Sequence, residues 1–551
     1  MLRFSAALLL ALATAAAAQQ PDPATVNAAL AQPLPADQAA MKAHVLFLAS
    51  DAMRGREAGS PEFDISAQYV AAQFYAAGLR PGGDAGGYLQ RMPLVSYKLD
   101  GAGRFGWKPR NGKAQSLIPG EDFTATANAG RAATEVSAPV VFVGHGVEAP
   151  QYGRDDYRGV DVRGKIVAIV AGVPAGFGGE ERAFFASPGT KAAIAQAHGA
   201  VGLITVATKA LPANAPRPPA RAPQARMTWA NPDGTGKTEA PGAPALGTLT
   251  AAGAAKLFGA DWARITAAAG AGDKARYPTI AARGVLTVAS RTSFTPLASS
   301  NVIGVVPGSD PKLKDEVVVL SAHLDHIGVR ADGEGDRINN GALDNAIGIA
   351  SLIEEAKRFT GAKDAGGEAP KRTVMFLAVT GEEKGLVGSD YFTNHPTVPL
   401  DRIVADVNLD MPILTYRFED MIVYGADRTT LGPIVRRAVE RAGIGMSPDP
   451  MPEQGIFVRS DHFRFVQKGI PAVFLWPGQK GAGAKAVAAF MGNCYHRPCD
   501  ELAQQPILWD QGVRFVDVNY RIAREIADGA GRPVWNRGDY FGTRYKGMMG
   551  R

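Results

Sequence analysis

The sequence predicts an α/β fold with a mostly parallel central sheet and helices on both faces. First, strand-like and helix-like segments alternate regularly after about residue 294. Second, the strand-like segments are apolar runs, such as the Val-Val-Val-Leu run at 317–320, as expected for strands buried on both faces. Third, a strand, a helix and a strand at 165–206 predict a smaller α/β module of its own.

Hydrophobic periodicity and turn residues assign each element. The N-terminal segment 37–78 is predicted to form two helices, separated by a polar, glycine-punctuated turn at 50–59. The predicted strands lie at 140–143, 165–170, 201–206, 316–321, 373–379, 403–409 and 472–476, and the further helices at 189–198, 345–359, 431–442 and 509–527. Segment 210–245 is crowded with Pro, Ala and Gly, which predicts an extended surface excursion.

Length and composition indicate a globular protein of two or three domains. The chain has 551 residues, of which 46% are hydrophobic and 20% charged. The formal net charge of +6 is small for this length, and no block of consecutive Lys or Arg forms a basic stripe. Nucleic acid is therefore not expected as a partner.

The N-terminus predicts export. Arg3 precedes an apolar run that ends in the small residues Ala16 and Ala18 before Gln19, the pattern of a secretory signal at 1–18. A buried N-terminal helix is the alternative, whereas a membrane span needs about 20 apolar residues. A periplasmic or secreted protein without a stable membrane anchor is expected, and the sequence sets no oligomeric state.

Two cysteines, Cys494 and Cys499, are the only ones in the chain. In an exported protein they are expected to form a disulfide, because oxidising compartments preserve such bonds. The alternative is a pair of buried thiols. Such a small loop would act locally, by holding the segment that carries His496.

Ionisable residues follow the apolar strands. In open α/β sheets, ligands bind beyond the carboxyl ends of the strands. His323, Glu383 and Asp410 directly follow or end three of them, and Asp344 and His496 are candidates for the same edge. Two imidazoles and three carboxylates suit zinc, and five ligands suit two ions that share a bridging carboxylate.

Some nearby residues are expected to be structural. His326 is interpreted as a satisfied polar residue. The run Ser460-Asp461-His462 invites comparison with a serine triad, but adjacent residues do not normally converge as a triad does. The tail 532–551 mixes aromatic and basic residues, and packing on the main domain or disorder is favoured over docking to a partner or membrane.

Six ordered motifs resemble the M28 family of zinc aminopeptidases. They are His323-x-Asp325, the Gly-Ala-x-Asp-Asn-Ala element at 341–346, Glu-Glu-x-Gly-x-x-Gly-Ser at 382–389, Asn-Leu-Asp-Met at 408–411, Ser-Asp-His at 460–462 and Tyr-His-x-Pro-x-Asp at 495–500. The turn at 50–59 also looks like the family's start. Leu343 stands where many members have Asp, and Ile347 where many have Ser.

The resemblance implies a ligand set. His323 and Asp410 would complete one zinc ion and Glu383 and His496 the other, with Asp344 bridging both. Asp325 would hold the His323 ring, as metal-bound imidazoles commonly require.

The resemblance also implies a domain layout. Residues 19–135 would be the N-terminal part of the peptidase domain, 136–292 an inserted protease-associated domain, 293–531 the catalytic domain and 532–551 a tail.

These features predict an exported dizinc exopeptidase acting on peptides. Glu382, beside a ligand without being one, is placed to take the proton of a metal-bound water and pass it to the leaving amine. An aminopeptidase is expected first. The alternatives are a carboxypeptidase or glutaminyl cyclase on the same scaffold, or a non-enzymatic receptor-like ectodomain that combines the same two domains.

Overall fold

A computed structural model describes residues 31–209, 225–364 and 367–550. The predicted signal at 1–18 lies outside these residues, as does the stretch 210–224 of the predicted surface excursion. The helices are α1 (Ala36–Leu48), α2 (Pro61–Ala76), α3 (Gly179–Ala186), α4 (Pro188–Ala197), α5 (Ala251–Phe258), α6 (Trp262–Ala269), α7 (Ile347–Asp364), α8 (Val387–Asn394), α9 (Leu431–Arg441), α10 (His462–Val466), α11 (Gly483–Asn493), α12 (Trp509–Asp528) and α13 (Tyr540–Arg544).

The strands follow the same chain order. They are β1 (Arg80–Pro81), β2 (Leu89–Pro109), β3 (Gln115–Ser116), β4 (Phe123–Ala125), β5 (Ala133–Phe142), β6 (Glu148–Ala149), β7 (Arg154–Asp155), β8 (Ile166–Val170), β9 (Gly202–Val206), β10 (Arg226–Trp229), β11 (Ala245–Leu249), β12 (Ile280–Val306), β13 (Val317–His323), β14 (Thr373–Val379), β15 (Ile403–Leu409), β16 (Asp420–Tyr424), β17 (Gly445–Ser447) and β18 (Ala472–Pro477).

The predicted α/β fold is confirmed, with a mixed rather than uniformly parallel sheet. Its central strands run in the order β14, β13, β15 and β18 and are mutually parallel. The antiparallel strands β12 and β16 flank them. Because β13, β14, β15 and β18 are almost entirely buried, they contain the apolar runs that the sequence displays.

The smaller module is also present, but its sheet continues into the central one. Strands β5, β8, β9 and β11 are parallel neighbours. The 27-residue strand β12 pairs with β5 through its first half and with β14 through its last five residues. The expected domain boundary after residue 292 therefore falls inside a strand that both regions share.

The C-terminal tail packs against the main domain. Trp535 is fully buried, and its indole nitrogen donates a hydrogen bond to the carbonyl oxygen of Gly469 at 2.8 Å. Phe541, on α13, is also fully buried. Within the described ranges, no helix combines the length and apolar character needed to cross a membrane.

Candidate metal centre

The ends of three central strands place the predicted side chains at one edge of the sheet. His323 is the last residue of β13, and Asp410 directly follows β15. Glu382 and Glu383 follow β14 after a two-residue turn. Since β13, β14 and β15 are parallel neighbours, their carboxyl ends lie side by side.

Asp344 and His496 reach the same edge from two loops. Asp344 lies in the turn that precedes α7, and the carboxylate of Asp500 holds this turn by accepting hydrogen bonds from the backbone N–H groups of Leu343 at 2.9 Å and Asp344 at 3.0 Å. His496 lies in the short loop closed by the Cys494–Cys499 disulfide. Asp500 follows that loop directly, so one segment positions both side chains.

The two oxygens of Asp344 face two different groups of side chains. Oδ1 lies 3.3 Å from Nε2 of His323, which is itself 3.0 Å from Oδ1 of Asp410. Oδ2 lies 3.2 Å from Nε2 of His496, which is 3.1 Å from Oε2 of Glu383. All five residues named from the sequence are therefore brought together, with Asp344 in the middle.

His326 also belongs to this cluster, which the sequence interpretation as a satisfied polar residue did not anticipate. The side chain is fully buried, and its Nδ1 lies 2.7 Å from Oε1 of Glu383. One oxygen of Glu383 thus faces His326 and the other faces His496. The available signal was the second histidine of the His-Leu-Asp-His segment, which begins with the last residue of β13.

The donor set fits divalent cations. Ligand atoms from His323, Asp344 and Asp410 all lie within 4.8 Å of one another, as do atoms from His326, Asp344 and Glu383. Imidazole nitrogens and carboxylate oxygens are the ligands that zinc accepts in proteins. Buried carboxylates that stand this close together also need positive charge to offset their desolvation.

The histidines and acids of the cluster shift one another's protonation. Burial alone would lower the pKa of His496, but hydrogen bonds to Asp344 and Glu383 raise it to about 10. Burial by itself would raise the pKa of Glu383, but hydrogen bonds with His326 and His496 lower it to about 2. Asp344 likewise has its pKa held well below the ordinary value by His323 and His496, against the effect of burial. The acids thus stay ionised and ready to bind a cation.

Glu382 has the opposite shift. Burial, and then the nearby charges of Asp410 and Glu383, raise the pKa of Glu382 well above its ordinary value, although His323 opposes them. Its backbone N–H donates to Oδ1 of Asp325 at 3.1 Å. Two adjacent glutamates therefore occupy different electrostatic environments.

Asp325 acts on His323 mainly through its backbone. The ring Nδ1 of His323 donates to the carbonyl oxygen of Asp325 at 3.1 Å, whereas the carboxylate Oδ1 is 4.0 Å away. That carboxylate instead accepts the hydrogen bond from Glu382. The ring of His323 therefore contacts the backbone of Asp325 more closely than the carboxylate that the resemblance implies.

Ser460, Asp461 and His462 do not form a triad. Oγ of Ser460 donates to Oδ2 of Asp410 at 2.6 Å and accepts from Nδ2 of Asn408 at 2.7 Å. Asp461 instead accepts from Ser389. His462 is fully buried among aromatic rings, and burial lowers its pKa to about 3. Ser460 thus orients Asp410.

The fold and this site together define an α/β protein with a candidate two-metal centre at the carboxyl edge of a parallel sheet. Residues 301–521 match the family model "Peptidase family M28". The match covers every residue of the cluster described above.

Several known proteins are similar to this chain. A "probable leucine aminopeptidase 2" from Aspergillus oryzae is 29% identical over 221 residues, which are 37% of this chain and 40% of that protein. A "Probable zinc metalloprotease" from Pyricularia oryzae is 38% identical over 19% of each chain. The chain therefore aligns with less than half the length of these curated relatives.

Solved structures are similar over most of the chain. An aminopeptidase from Aneurinibacillus sp. strain AM-1 has 20% identity and a TM-score of 0.47, and the alignment covers 90% of this chain and 95% of that one. A zinc aminopeptidase from Bacillus subtilis has 20% identity and a TM-score of 0.43, with 91% and 98% covered.

Proposed function

We propose that this protein is a zinc-dependent exopeptidase, and specifically an aminopeptidase with two zinc ions at its centre. The observation that carries the proposal is the position of Asp344, whose two carboxylate oxygens face separate groups of nitrogen and oxygen ligands. The match of residues 301–521 to the model of peptidase family M28 supports the peptidase activity. The names of the Aspergillus and Pyricularia relatives support the aminopeptidase activity and the zinc.

The proposed ligands divide between two ions. His323 and Asp410 would hold one, Glu383 and His496 the other, and Asp344 would bridge them. His326 would act as the partner of the remaining oxygen of Glu383, since its Nδ1 faces Oε1 and not Oε2. When bound, zinc ions supply a polarised water and stabilise negative charge on the scissile carbonyl.

The chain's own residues would move the proton. Glu382 is partly buried beside the proposed ligands. Its raised pKa is closer to neutral pH, and a group exchanges protons most effectively when its pKa is near the working pH. Asp325 fixes the backbone of Glu382 through the hydrogen bond to its N–H. Glu382 would accept the proton of the attacking water and deliver it to the leaving amine.

The same proposal includes the cellular location of the protein and the identity of the smaller α/β module. The predicted signal at 1–18 and the disulfide between Cys494 and Cys499 both favour an exported, periplasmic or secreted protein. The strand, helix and strand order of 136–292 supports the interpretation of this region as an inserted protease-associated domain.

The test combines metal analysis with a substrate screen. The purified protein is expected to contain two zinc ions, to lose activity on chelation and to recover it when zinc is added back. Peptides with a free amino terminus should be cleaved, while amino-acetylated peptides should not and carboxyl-amidated ones should. Cleavage of the acetylated peptides but not of the amidated ones would indicate a carboxypeptidase.

Two outcomes would contradict the proposal. One bound metal, with cyclisation of amino-terminal glutamine instead of hydrolysis, would support the glutaminyl cyclase alternative. A protein with no bound metal and no activity towards any of these peptides would support the receptor-like alternative.

A further inference from the structure

Arg56 occupies the point where the N-terminal turn meets the proposed metal-binding loops. Arg54, Gly55 and Arg56 all have positive φ values, of 44°, 70° and 35°. A Cβ atom on Gly55 would lie 2.5 Å from the carbonyl oxygen of Asn339 and 2.8 Å from Cα of Gly328. Only glycine fits this close approach. The approach places Arg56 between the loop after His323 and the loop that ends in Asp344.

The guanidinium of Arg56 is fully buried and binds backbone carbonyl oxygens from three segments. Nε donates to Leu324 at 2.8 Å. The terminal nitrogens donate to Leu48 at 3.1 Å, to Gly341 at 2.8 Å, to Asp344 at 3.4 Å and to Asn340. The loop after His323 and the loop that ends in Asp344 are therefore held by one side chain.

The charge of Arg56 also matches its surroundings. No carboxylate is among its hydrogen-bond partners in the described part of the chain, but Asp344, Asp500, Asp325 and Glu383 all stabilise its positive charge from nearby. Burial still lowers the pKa of Arg56 to about 10, so the group remains protonated at neutral pH. A buried cation beside several acids offsets their mutual repulsion.

We infer that Arg56 is a positioning residue of the proposed metal centre, which clamps the loops carrying His323 and Asp344 at the separation that two ions require. This inference rests on the proposed function. It assigns a role to the 50–59 turn, which supplies no ligand of its own. Because Arg56 acts through carbonyl oxygens, its fork of donors matters as well as its charge.

The experiment compares zinc binding by the full chain and three variants, titrated with zinc alone after chelation. Arg56→Lys keeps the charge but cannot reach the same set of carbonyl oxygens, and Arg56→Gln loses both. Arg54→Gln is the matched control, because Arg54 is the exposed neighbour whose side chain pairs with Glu62 at 3.3 Å. Circular dichroism checks that each variant is folded.

Both Arg56 variants are expected to bind zinc about 10- to 100-fold more weakly than wild type, while Arg54→Gln binds it normally. Cobalt substituted for zinc should show an altered visible spectrum in Arg56→Lys, a signature that a loss of stability alone would not produce. If Arg56→Gln does not fold, the titration of Arg56→Lys decides.

Wild-type zinc affinity and an unchanged cobalt spectrum in Arg56→Lys would overturn the role of Arg56 while the proposed function stands. A wild-type protein that binds no zinc would overturn the proposed function, and the role of Arg56 would fall with it.

Discussion

Adjacent glutamates show how environment separates chemical roles. Glu383 is held between His326 and His496, and these contacts lower its pKa to about 2 despite burial. Burial and the nearby charges of Asp410 and Glu383 instead raise the pKa of Glu382. The same residue type is thus an ionised candidate ligand at one position and a candidate proton carrier at the next.

Glu382→Gln is expected to keep both zinc ions and lose about 100- to 10,000-fold in kcat, because the amide cannot accept the proton of the attacking water. Metal analysis and peptide hydrolysis measure the two effects separately. Glu383→Gln is the matched comparison and should lose metal as well as activity. A Glu382→Gln protein with nearly full activity would contradict the role of Glu382.

For single residues, the sequence predicted which residues form the site better than it predicted which of their atoms are in contact. The five candidate ligands could be named because each follows an apolar strand or lies in a recognisable motif. The partner of His326 could not be predicted, because whether a buried imidazole faces Glu383 depends on how two separate loops pack. The use of the Asp325 carbonyl oxygen, and not its carboxylate, is a matter of rotamer and turn geometry.

Helix α7 carries a second pair of adjacent glutamates, Glu354 and Glu355. It packs against α1 and α12. Glu354 is paired with His44 at 3.0 Å and with Lys357 at 2.7 Å. Glu355 is only 1% exposed, and within the described residues neither of its carboxylate oxygens has a hydrogen-bond partner. Burial raises the pKa of Glu355 to about 8, although Arg358 opposes the shift.

This raised pKa makes stability depend on pH. Between about pH 4.5 and 8 the folded protein keeps a proton on Glu355 that the unfolded chain has released, so the free energy of unfolding falls as pH rises through this window. Glu355→Gln removes the dependence. At pH 8 to 9 the variant should gain on the order of 1 to 4 kcal/mol, and near pH 4 it should gain little.

Denaturant unfolding at both pH values measures the effect. Glu354→Gln is the control of opposite sign, because burial opposes but His44 and Lys357 lower the pKa of Glu354, and losing that paired carboxylate should reduce stability at pH 8. Equal midpoints at pH 8 for wild type and Glu355→Gln would refute the assignment.

The element boundaries followed closely from the sequence where strands are buried on both faces. Strands β14 and β15 have the predicted bounds. The apolar run of β14 ends before Thr380, and β15 ends directly before Asp410. The long strand β12 was not anticipated, since its pattern changes along its length as its partners change from β5 to β14.

Over the whole molecule, the smaller α/β module is attached to the main domain by more than the shared sheet. Arg428 precedes α9 in the main domain, and its guanidinium binds Glu180 and, at 2.8 Å, Glu181 on helix α3 of the module. It also binds Asp539 of the tail at 2.8 Å. The ring of Phe541 lies 4.9 Å from the guanidinium carbon. One cation therefore joins three regions that are distant in sequence.

Arg428→Gln is expected to lower the free energy of unfolding by about 3 to 5 kcal/mol, because it leaves three partly buried carboxylates without their cation. Chemical denaturation measures the loss, and limited proteolysis should show faster cleavage around α3 and the tail. Arg402→Gln serves as the control, since its pair with Asp315 is exposed and worth at most about 1 kcal/mol. Equal stability of the two variants would contradict the role of Arg428 as a joint.

The sequence by itself determined the α/β class, the order of the main strands and helices, and the set of ionisable residues that meet at one sheet edge. These follow from local periodicity and from the rule that parallel strands share an edge at their carboxyl ends. Only the tertiary structure decided which oxygen of Asp344 faces which histidine, that His326 joins the cluster, and that Arg56 and Arg428 connect separate segments. The reason is physical. Arg56 and Leu324 are 268 positions apart, and a local sequence pattern does not predict a contact that forms only when the whole chain has packed.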